Sequence, residues 1–228
     1  MFTSINTMNN NAVTTYDDLQ ACIEGSNWEI LNAKLQRSSA EDAILENEGN
    51  QLLITACQHG APLEIIMELI SIKPEQAQQV DKEFQQTPLH LACLNMMNED
   101  SAHIISLLAT QYSQSTTMED ECGMTPLHLM CMNPCKSPAS VAAINALCQK
   151  GPAALTMENE DGETPIEIFI ISQNCNSYEE HDCQVAALDI MHKACGKYLL
   201  NAKREAMRMV PSRLARREQQ DVLVASRQ

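Results

Sequence analysis

The sequence predicts an all-α protein built from a stack of similar two-helix units. Three observations predict this fold class. A heptapeptide beginning at Thr87 recurs almost unchanged at Thr125, and weaker copies begin at Gln51 and Thr164. Each strong copy resembles a helix start, because threonine is a favoured N-cap and proline suits the first helical position. An apolar segment with helical spacing follows every copy, so each unit contributes a second helix.

The four copies differ in how completely they keep the pattern. The central ones, Thr87–Cys93 and Thr125–Cys131, share Thr-Pro-Leu-His-Leu and end in cysteine. The last copy, Thr164–Ile170, keeps Thr-Pro but has glutamate in the histidine position, and the first, Gln51–Cys57, lacks Thr-Pro. The predicted second helices cover Leu63–Ile70, Ala102–Leu108, Pro138–Leu147 and Val185–Tyr198.

These copies resemble the ankyrin repeat, whose signature opens the first of two antiparallel helices. The resemblance covers about residues 16–198 and implies an ankyrin-repeat solenoid of stacked helix-turn-helix units with β-hairpin-like connecting loops. The intervals between copies exceed the ~33 residues of the usual repeat. We therefore expect insertions at Met96–Asp100 and Asn133–Lys136. Atypical terminal units are also expected, because the ends of a solenoid face water.

The predicted organisation has three parts. A disordered extension, 1–15, precedes the ankyrin-repeat domain, 16–200, and a basic tail, 201–228, follows it. Within the domain, the segment Asp17–Gln36 is expected to form an N-terminal helical pair. The predicted units are a capping unit, 16–45, and repeats at about 46–81, 82–119, 120–158 and 159–200.

Charge is distributed unevenly along the chain. The net charge is −15, yet the tail carries seven basic and three acidic residues, so the array itself is strongly acidic. An acidic array repels nucleic-acid phosphates and favours basic partners. We expect no nucleic-acid binding by the array. Four interpretations of the tail stay open: a solvated extension, a nuclear import signal, a calmodulin- or membrane-binding helix interrupted at Pro211, and a segment that folds back on the array.

Apolar stretches are short. The longest ones, such as Ile168–Ile171, fall well below the ~20 residues of a membrane helix. The N-terminal residues, Met1–Thr15, are polar and lack the features of a signal peptide. We therefore expect no membrane span and a cytoplasmic or nuclear location.

Enzyme motifs are missing from the sequence. Its seven glycines are widely separated, which excludes glycine-rich phosphate loops and the nucleophile elbow of hydrolases. His90 and His128 occupy the same repeat position, and the ankyrin resemblance implies that this histidine hydrogen-bonds a neighbouring loop. We expect no catalytic site and no cofactor.

Two groupings of cysteine and histidine invite a metal-site interpretation. They are His128, Cys131 and Cys135 in one place and Cys175, His181 and Cys183 in another. Structural zinc sites normally use four ligands, and neither grouping supplies a fourth. We predict no metal site. A redox- or metal-responsive regulator that uses these residues is the alternative function.

The predicted function is a non-catalytic protein–protein interaction scaffold or adaptor. The resemblance implies that partners contact the hairpin tips and the concave face of the first helices. Apolar residues at such positions, flanked by carboxylates, predict a partner with a basic, partly apolar segment. The predicted partner-binding residues are Glu83, Phe84, Gln86, Leu94, Asn95, Glu121, Met124, Met132, Asn133, Glu160 and Asp161.

Overall fold

The computed structural model describes residues 13–47, 51–95, 100–172 and 178–225, with side chains in the last helix described over 180–205. Within these ranges the protein contains eleven α-helices and no strand. They are α1 (Tyr16–Glu24), α2 (Trp28–Leu35), α3 (Ser38–Glu46), α4 (Leu52–Gln58), α5 (Leu63–Ile72), α6 (Pro88–Leu94), α7 (Ser101–Gln111), α8 (Pro126–Met132), α9 (Pro138–Lys150), α10 (Pro165–Ser172) and α11 (Tyr178–Ala225).

The helices form two parallel layers. The first helices of successive units, α1, α4, α6, α8 and α10, each contact the next one in the series. The second helices, α2, α5, α7, α9 and α11, form the other layer in the same way. This stacking confirms the predicted all-α solenoid of helix-turn-helix units.

A short 3₁₀ turn follows the second helix in three units, at Pro74–Gln78, Ser113–Thr117 and Pro152–Thr156. In the first pair the longer helix α3 takes this place, and it contacts α1, α2 and α5. After each of the three 3₁₀ turns the chain becomes extended and leads into the tip loop that precedes the next first helix.

The core lies between the two layers and along the contacts between units. Leu89 and Leu127, the third residues of the two strong copies, are each 1 % exposed. Cys57, Cys93 and Cys131 are buried at their common position on the first helices. Each unit thus hides its apolar side chains against its own second helix and against the neighbouring units, as a repeat array requires.

The helical array begins earlier than predicted. Thr15, which lies in the predicted disordered extension, 1–15, is the N-cap of α1. Its hydroxyl accepts a hydrogen bond from the Asp18 N–H, and the Asp18 carboxylate accepts one from the Thr15 N–H. The predicted N-terminal helical pair is present as α1 and α2, and α1 starts with a capping box although no proline marks it.

The last helix runs beyond the predicted end of the array. α11 continues through residue 200 and through Pro211, so the proline does not interrupt the helix as expected. Proline inside a helix removes one backbone hydrogen bond and bends the axis without necessarily ending the helix. Along this helix Tyr198 is half-buried, whereas residues 199–205, the last ones whose side chains are described, are all exposed. Among the described helices, none has the length and apolar character needed to cross a membrane.

Candidate partner-binding surface

The described tip loops are the segments just before α6, α8 and α10, and in each of them one side chain organises the turn. Asp120 Oδ1 accepts hydrogen bonds from the backbone N–H groups of Cys122 (2.9 Å) and Met124 (3.0 Å). Asn159 and Asp81 organise the other two tips in the same way. Short oxygen-bearing side chains are favoured in turns because they can reach backbone donors two to four residues ahead. The tip shape is therefore encoded locally.

Two of these turns need a left-handed residue that glycine supplies. Gly123 has φ +70° and Gly162 has φ +78°. A side chain at Gly123 would also collide with the next tip, since a Cβ atom there would lie 3.0 Å from the Glu160 nitrogen. Gln85 takes the equivalent conformation in the second unit, with φ +57°.

Neighbouring tips are joined by backbone hydrogen bonds. The Glu121 N–H donates to the Phe84 carbonyl (3.0 Å), and the Glu160 N–H donates to the Cys122 carbonyl (3.2 Å). Within each tip a backbone bond closes a hairpin-like loop, as from the Asp120 N–H to the Met124 carbonyl (3.0 Å), although no strand is assigned within the described residues. The three tips therefore form one continuous ridge along the edge of the array.

His90 links its own helix start to the next tip. The Thr87 N–H donates to His90 Nδ1 (3.1 Å), so Nδ1 is unprotonated and the ring carries its proton on Nε2. The Nε2 nitrogen lies 3.1 Å from the carbonyl oxygens of both Met118 and Met124. Burial lowers the pKa of His90 by disfavouring the charged ring. The neutral histidine is thus a structural tie between units.

His128 repeats this role one unit later. The Thr125 N–H donates to its Nδ1 (3.0 Å), and its Nε2 donates to the Glu163 carbonyl (3.2 Å). Its pKa is also lowered, chiefly by burial. The prediction that these histidines bind a neighbouring loop is confirmed by the hydrogen bonds.

Two predicted contact residues are buried. Met124, expected in an exposed apolar strip, is only 8 % exposed, and its sulfur accepts a hydrogen bond from Asn159 Nδ2 at 3.4 Å. Gln86 is equally buried and donates to Asp120 Oδ2 (3.0 Å). Both residues immediately precede a threonine N-cap, where the next tip covers the side chain. Met124 must therefore be removed from the apolar residues predicted to contact a partner.

Two further predicted residues bond to neighbouring units. Asn95 Nδ2 donates to the Cys57 carbonyl (3.2 Å), and Asn133 Nδ2 donates to the Cys93 carbonyl (2.8 Å). Ser172 makes the equivalent bond in the last unit. Each side chain satisfies a carbonyl near the C-terminal end of the preceding unit's first helix, where intrahelical donors are absent. A short polar residue recurs eight positions after Thr87, Thr125 and Thr164, and this recurrence is the sequence signal of the bond.

The remaining predicted residues reach solvent. Leu94 is half-buried, while Met132 is 52 % exposed. Ile171, at the equivalent position of the next unit, is 71 % exposed. We call Leu94, Met132 and Ile171 the inner stripe, because they occupy one repeat position on three adjacent first helices. The exposed predicted residues at the tips are Glu83, Phe84, Glu121, Glu160 and Asp161.

Most described thiols are buried between helices. Burial raises the pKa of Cys57, Cys135 and Cys148 to about 12 each. Protonated thiols are poor nucleophiles and poor metal ligands. Within the described ranges no three histidine, cysteine, aspartate or glutamate side chains converge on a common metal position. Cys175, part of the second predicted grouping, lies outside those ranges.

No protein-family model matches the chain, and no curated protein matches it. Several solved structures are similar in fold, including the following two. One is a chain of the complex of the predatory endopeptidase Bd0816 from Bdellovibrio bacteriovorus with immunity protein Bd3460; the identity is 21 %, the TM-score is 0.51, and the alignment covers 81 % of this chain and 86 % of that chain. The other is the Legionella pneumophila effector AnkC, with 17 % identity, a TM-score of 0.51, and coverage of 88 % and 74 %. AnkC is an ankyrin-repeat protein, and this chain has the same all-helical ankyrin-repeat fold.

Proposed function

We propose that this protein is a non-catalytic scaffold or adaptor that binds another protein through the inner stripe and the carboxylates of the adjacent tips. The inner stripe carries the proposal. Leu94, Met132 and Ile171 hold one repeat position, and the last two are more than half exposed. Exposed apolar residues that line up across units supply the contiguous patch typical of protein interfaces.

The neighbouring polar residues on this face bond within the array. Asn95, Asn133 and Ser172 each follow an inner-stripe residue and donate to the preceding unit. The inner stripe therefore lies on a surface whose geometry is fixed by hydrogen bonds within the array in the absence of a partner. Pre-organised surfaces lose less conformational entropy on binding.

Carboxylates at the tips favour a basic partner. Glu83, Glu121 and Glu160 hold equivalent exposed positions on consecutive tips, and Asp161 adds a further exposed carboxylate. The tips are bonded into one ridge, so these charges recur at the interval of the units. Complementary charge steers partners and sets register more than it adds affinity. We therefore propose a partner with a basic, partly apolar segment.

The absence of catalysis is part of the same proposal. Both histidines at the repeat position are buried and bonded to backbone, which leaves neither ring available as a proton-transfer group. Raised thiol pKa values give the buried cysteines little thiolate at neutral pH. A cytoplasmic or nuclear site of action would suit a chain with so many buried free thiols.

The experiment is affinity capture with the double variant Met132→Glu and Ile171→Glu, followed by mass spectrometry. Two carboxylates on the inner stripe should reduce recovery of the protein partner by about tenfold or more, as for loss of an interface hot spot. The matched control is Met67→Glu with Ile30→Glu, because these residues are 53 % and 43 % exposed on second helices.

Both variants should retain the helical circular dichroism of the parent. Equal recovery of the same partner by the parent and the inner-stripe variant would contradict the proposal. Loss of recovery in the control as well would show a general effect of added charge.

A further inference from the structure

The inner stripe has a regular spacing. Leu94, Met132 and Ile171 lie on α6, α8 and α10, which contact one another in sequence. Packed helices are separated by ~8–10 Å, so the three apolar side chains span about 16–20 Å in two equal steps. A partner that places apolar side chains at this interval would contact all three.

The chain itself contains a helix with that interval. We call residues 199–225 of α11 the projecting segment, because its described side chains, residues 199–205, are all exposed whereas Tyr198 is half-buried. Leu200, Met207 and Leu214 are spaced seven residues apart. Seven residues of α-helix rise about 10.5 Å, so these residues recur at nearly the spacing of the inner stripe.

Exposure and charge point to the same pairing. Leu199 and Leu200, at the start of the projecting segment, are 53 % and 58 % exposed. The segment also contains a set of basic residues, whereas the tips that precede the same first helices present Glu83, Glu121 and Glu160. An amphipathic helix that lies in an apolar groove is a common recognition mode. The basic residues are Lys203, Arg204, Arg208, Arg213, Arg216 and Arg217.

Helix geometry decides which copy of the groove is used. α11 is continuous from Tyr178 to Ala225, and the projecting segment extends about 40 Å at ~1.5 Å per residue. A continuous helix that leaves the end of the array cannot reverse its direction to reach the inner stripe of its own chain. The helix can instead reach the inner stripe of a second copy, because that copy is free to take any orientation.

We infer that the projecting segment of one copy docks along the inner stripe of a second copy, so that the protein associates with itself through a helix-in-groove contact. This inference rests on the proposed function, because it uses the same stripe and makes the chain's own helix a competitor of other partners. The contact joins two different surfaces. If two copies exchange it reciprocally it closes a symmetric dimer, and if they do not it is heterologous and extends into a longer chain of copies.

The test is sedimentation velocity of the full chain over a wide concentration range. The parent should self-associate, and Met132→Glu should weaken association by about tenfold or more. Met67→Glu, an equally exposed methionine on a second helix, should leave association unchanged. The triple charge reversal Arg213→Glu, Arg216→Glu and Arg217→Glu should weaken association as strongly as Met132→Glu.

Mixing the two defective proteins gives a sharper test. Met132→Glu retains a normal projecting segment, and the triple reversal retains a normal inner stripe, so an equimolar mixture should form heterodimers that neither protein forms alone. High salt should weaken them, because the contact includes opposite charges. A parent that is monomeric throughout, or a mixture without heterodimers, would overturn the inference.

Failure of this inference is distinguishable from failure of the proposed function. If the parent is monomeric but the inner-stripe double variant loses its captured partner, the stripe binds other proteins and the inference alone is wrong. If that variant changes neither self-association nor capture, the stripe is not a binding surface and both fail.

Discussion

The internal units and the last unit differ at the fourth residue of the heptapeptide. In the internal units His90 and His128 accept from their own threonine N–H and donate to the next tip. In the last unit Glu167 accepts from the Thr164 N–H (2.8 Å) and is exposed. The side chain at this position thus only caps its own helix at the end of the array, whereas inside the array it also binds the next tip.

The difference follows from the chemistry of the two side chains. A neutral imidazole has an acceptor on one side and a donor on the other, so it can cap its own helix and bind a carbonyl of the neighbour. A carboxylate only accepts. No further tip follows α10 within the described residues, and glutamate at that position completes a capping box with Thr164. Histidine therefore marks a unit that has a successor.

The first full unit solves the capping problem without threonine. Its α4 starts after Gln51, whose N–H donates to the Tyr16 hydroxyl (3.0 Å). The Leu53 N–H donates to the buried side-chain oxygen of Gln76 (3.1 Å), on the 3₁₀ turn of the same unit. In this unit, side chains that are distant in sequence supply the capping hydrogen bonds that the threonine supplies in the other units.

The largest expected effect is the loss of core packing in an internal unit. Leu89→Ala should lower the free energy of unfolding by ~2–5 kcal/mol, because the side chain is 1 % exposed and its removal leaves a cavity. Ile166→Ala, at the equivalent position of the last unit, should cost less since Ile166 is only half-buried. Urea unfolding followed by circular dichroism measures both. Equal losses would erase the distinction between internal and terminal units.

A smaller effect is expected at the histidine position. His90→Ala should destabilise the fold by ~1–3 kcal/mol, because buried carbonyls and a helix-start N–H lose their partner. Glu167→Ala should destabilise it less, since water can replace the exposed carboxylate. The same urea titration compares the two variants. A larger loss from Glu167→Ala would show that the local cap matters more than the tie between units.

Capping of the first full unit by Gln76 is expected to contribute at the low end of the same ~1–3 kcal/mol range, because a single buried amide is left unsatisfied. Gln76→Ala is the variant, and Gln78→Ala is the control because Gln78 is exposed on the same 3₁₀ turn. Hydrogen exchange at the Leu53 amide should accelerate only in Gln76→Ala. Unchanged exchange would mean that this amide is protected by packing alone.

A further effect is the dependence of stability on pH. Burial lowers the pKa of His90 and His128 in the folded state, whereas unfolded histidine titrates near 6.5. Below that value the unfolded chain binds more protons, so the free energy of unfolding should fall as the pH falls. The loss is at most about 1.4 kcal/mol per histidine and pH unit.

The pH range of the stability loss distinguishes the internal units, which have histidine, from the last unit, which has glutamate. Urea titrations at about pH 7.5 and about pH 5.5 should show the loss in the parent and a smaller loss in His90→Gln. Glu167 has a lowered pKa because Thr164 donates to its carboxylate, so its contribution is lost only below its ordinary value of 4.5. A decline confined to that lower range would contradict the role assigned to the histidines.

Local chemistry in the sequence predicted the helix starts and their stacking. Thr87 and Thr125 cap α6 and α8, and Leu89 and Leu127 are buried, because capping and apolar spacing depend on residues within one turn. Thr15 was missed because its capping partner is Asp18 and no proline follows. The sequence predicts that the last second helix ends at Tyr198, whereas α11 continues to Ala225.

Tertiary structure alone decided which predicted contact residues are available to a partner. Phe84 and Met124 are both apolar tip residues in the sequence, yet Phe84 is 49 % exposed and Met124 lies beneath the following tip. Asn95 and Asn133 bond to the preceding unit, a use that depends on a carbonyl about forty positions away. The sequence determined each unit and its order because those depend on neighbouring residues. The exposure of each side chain depends on the packing between units, because the next unit covers some side chains and leaves others open.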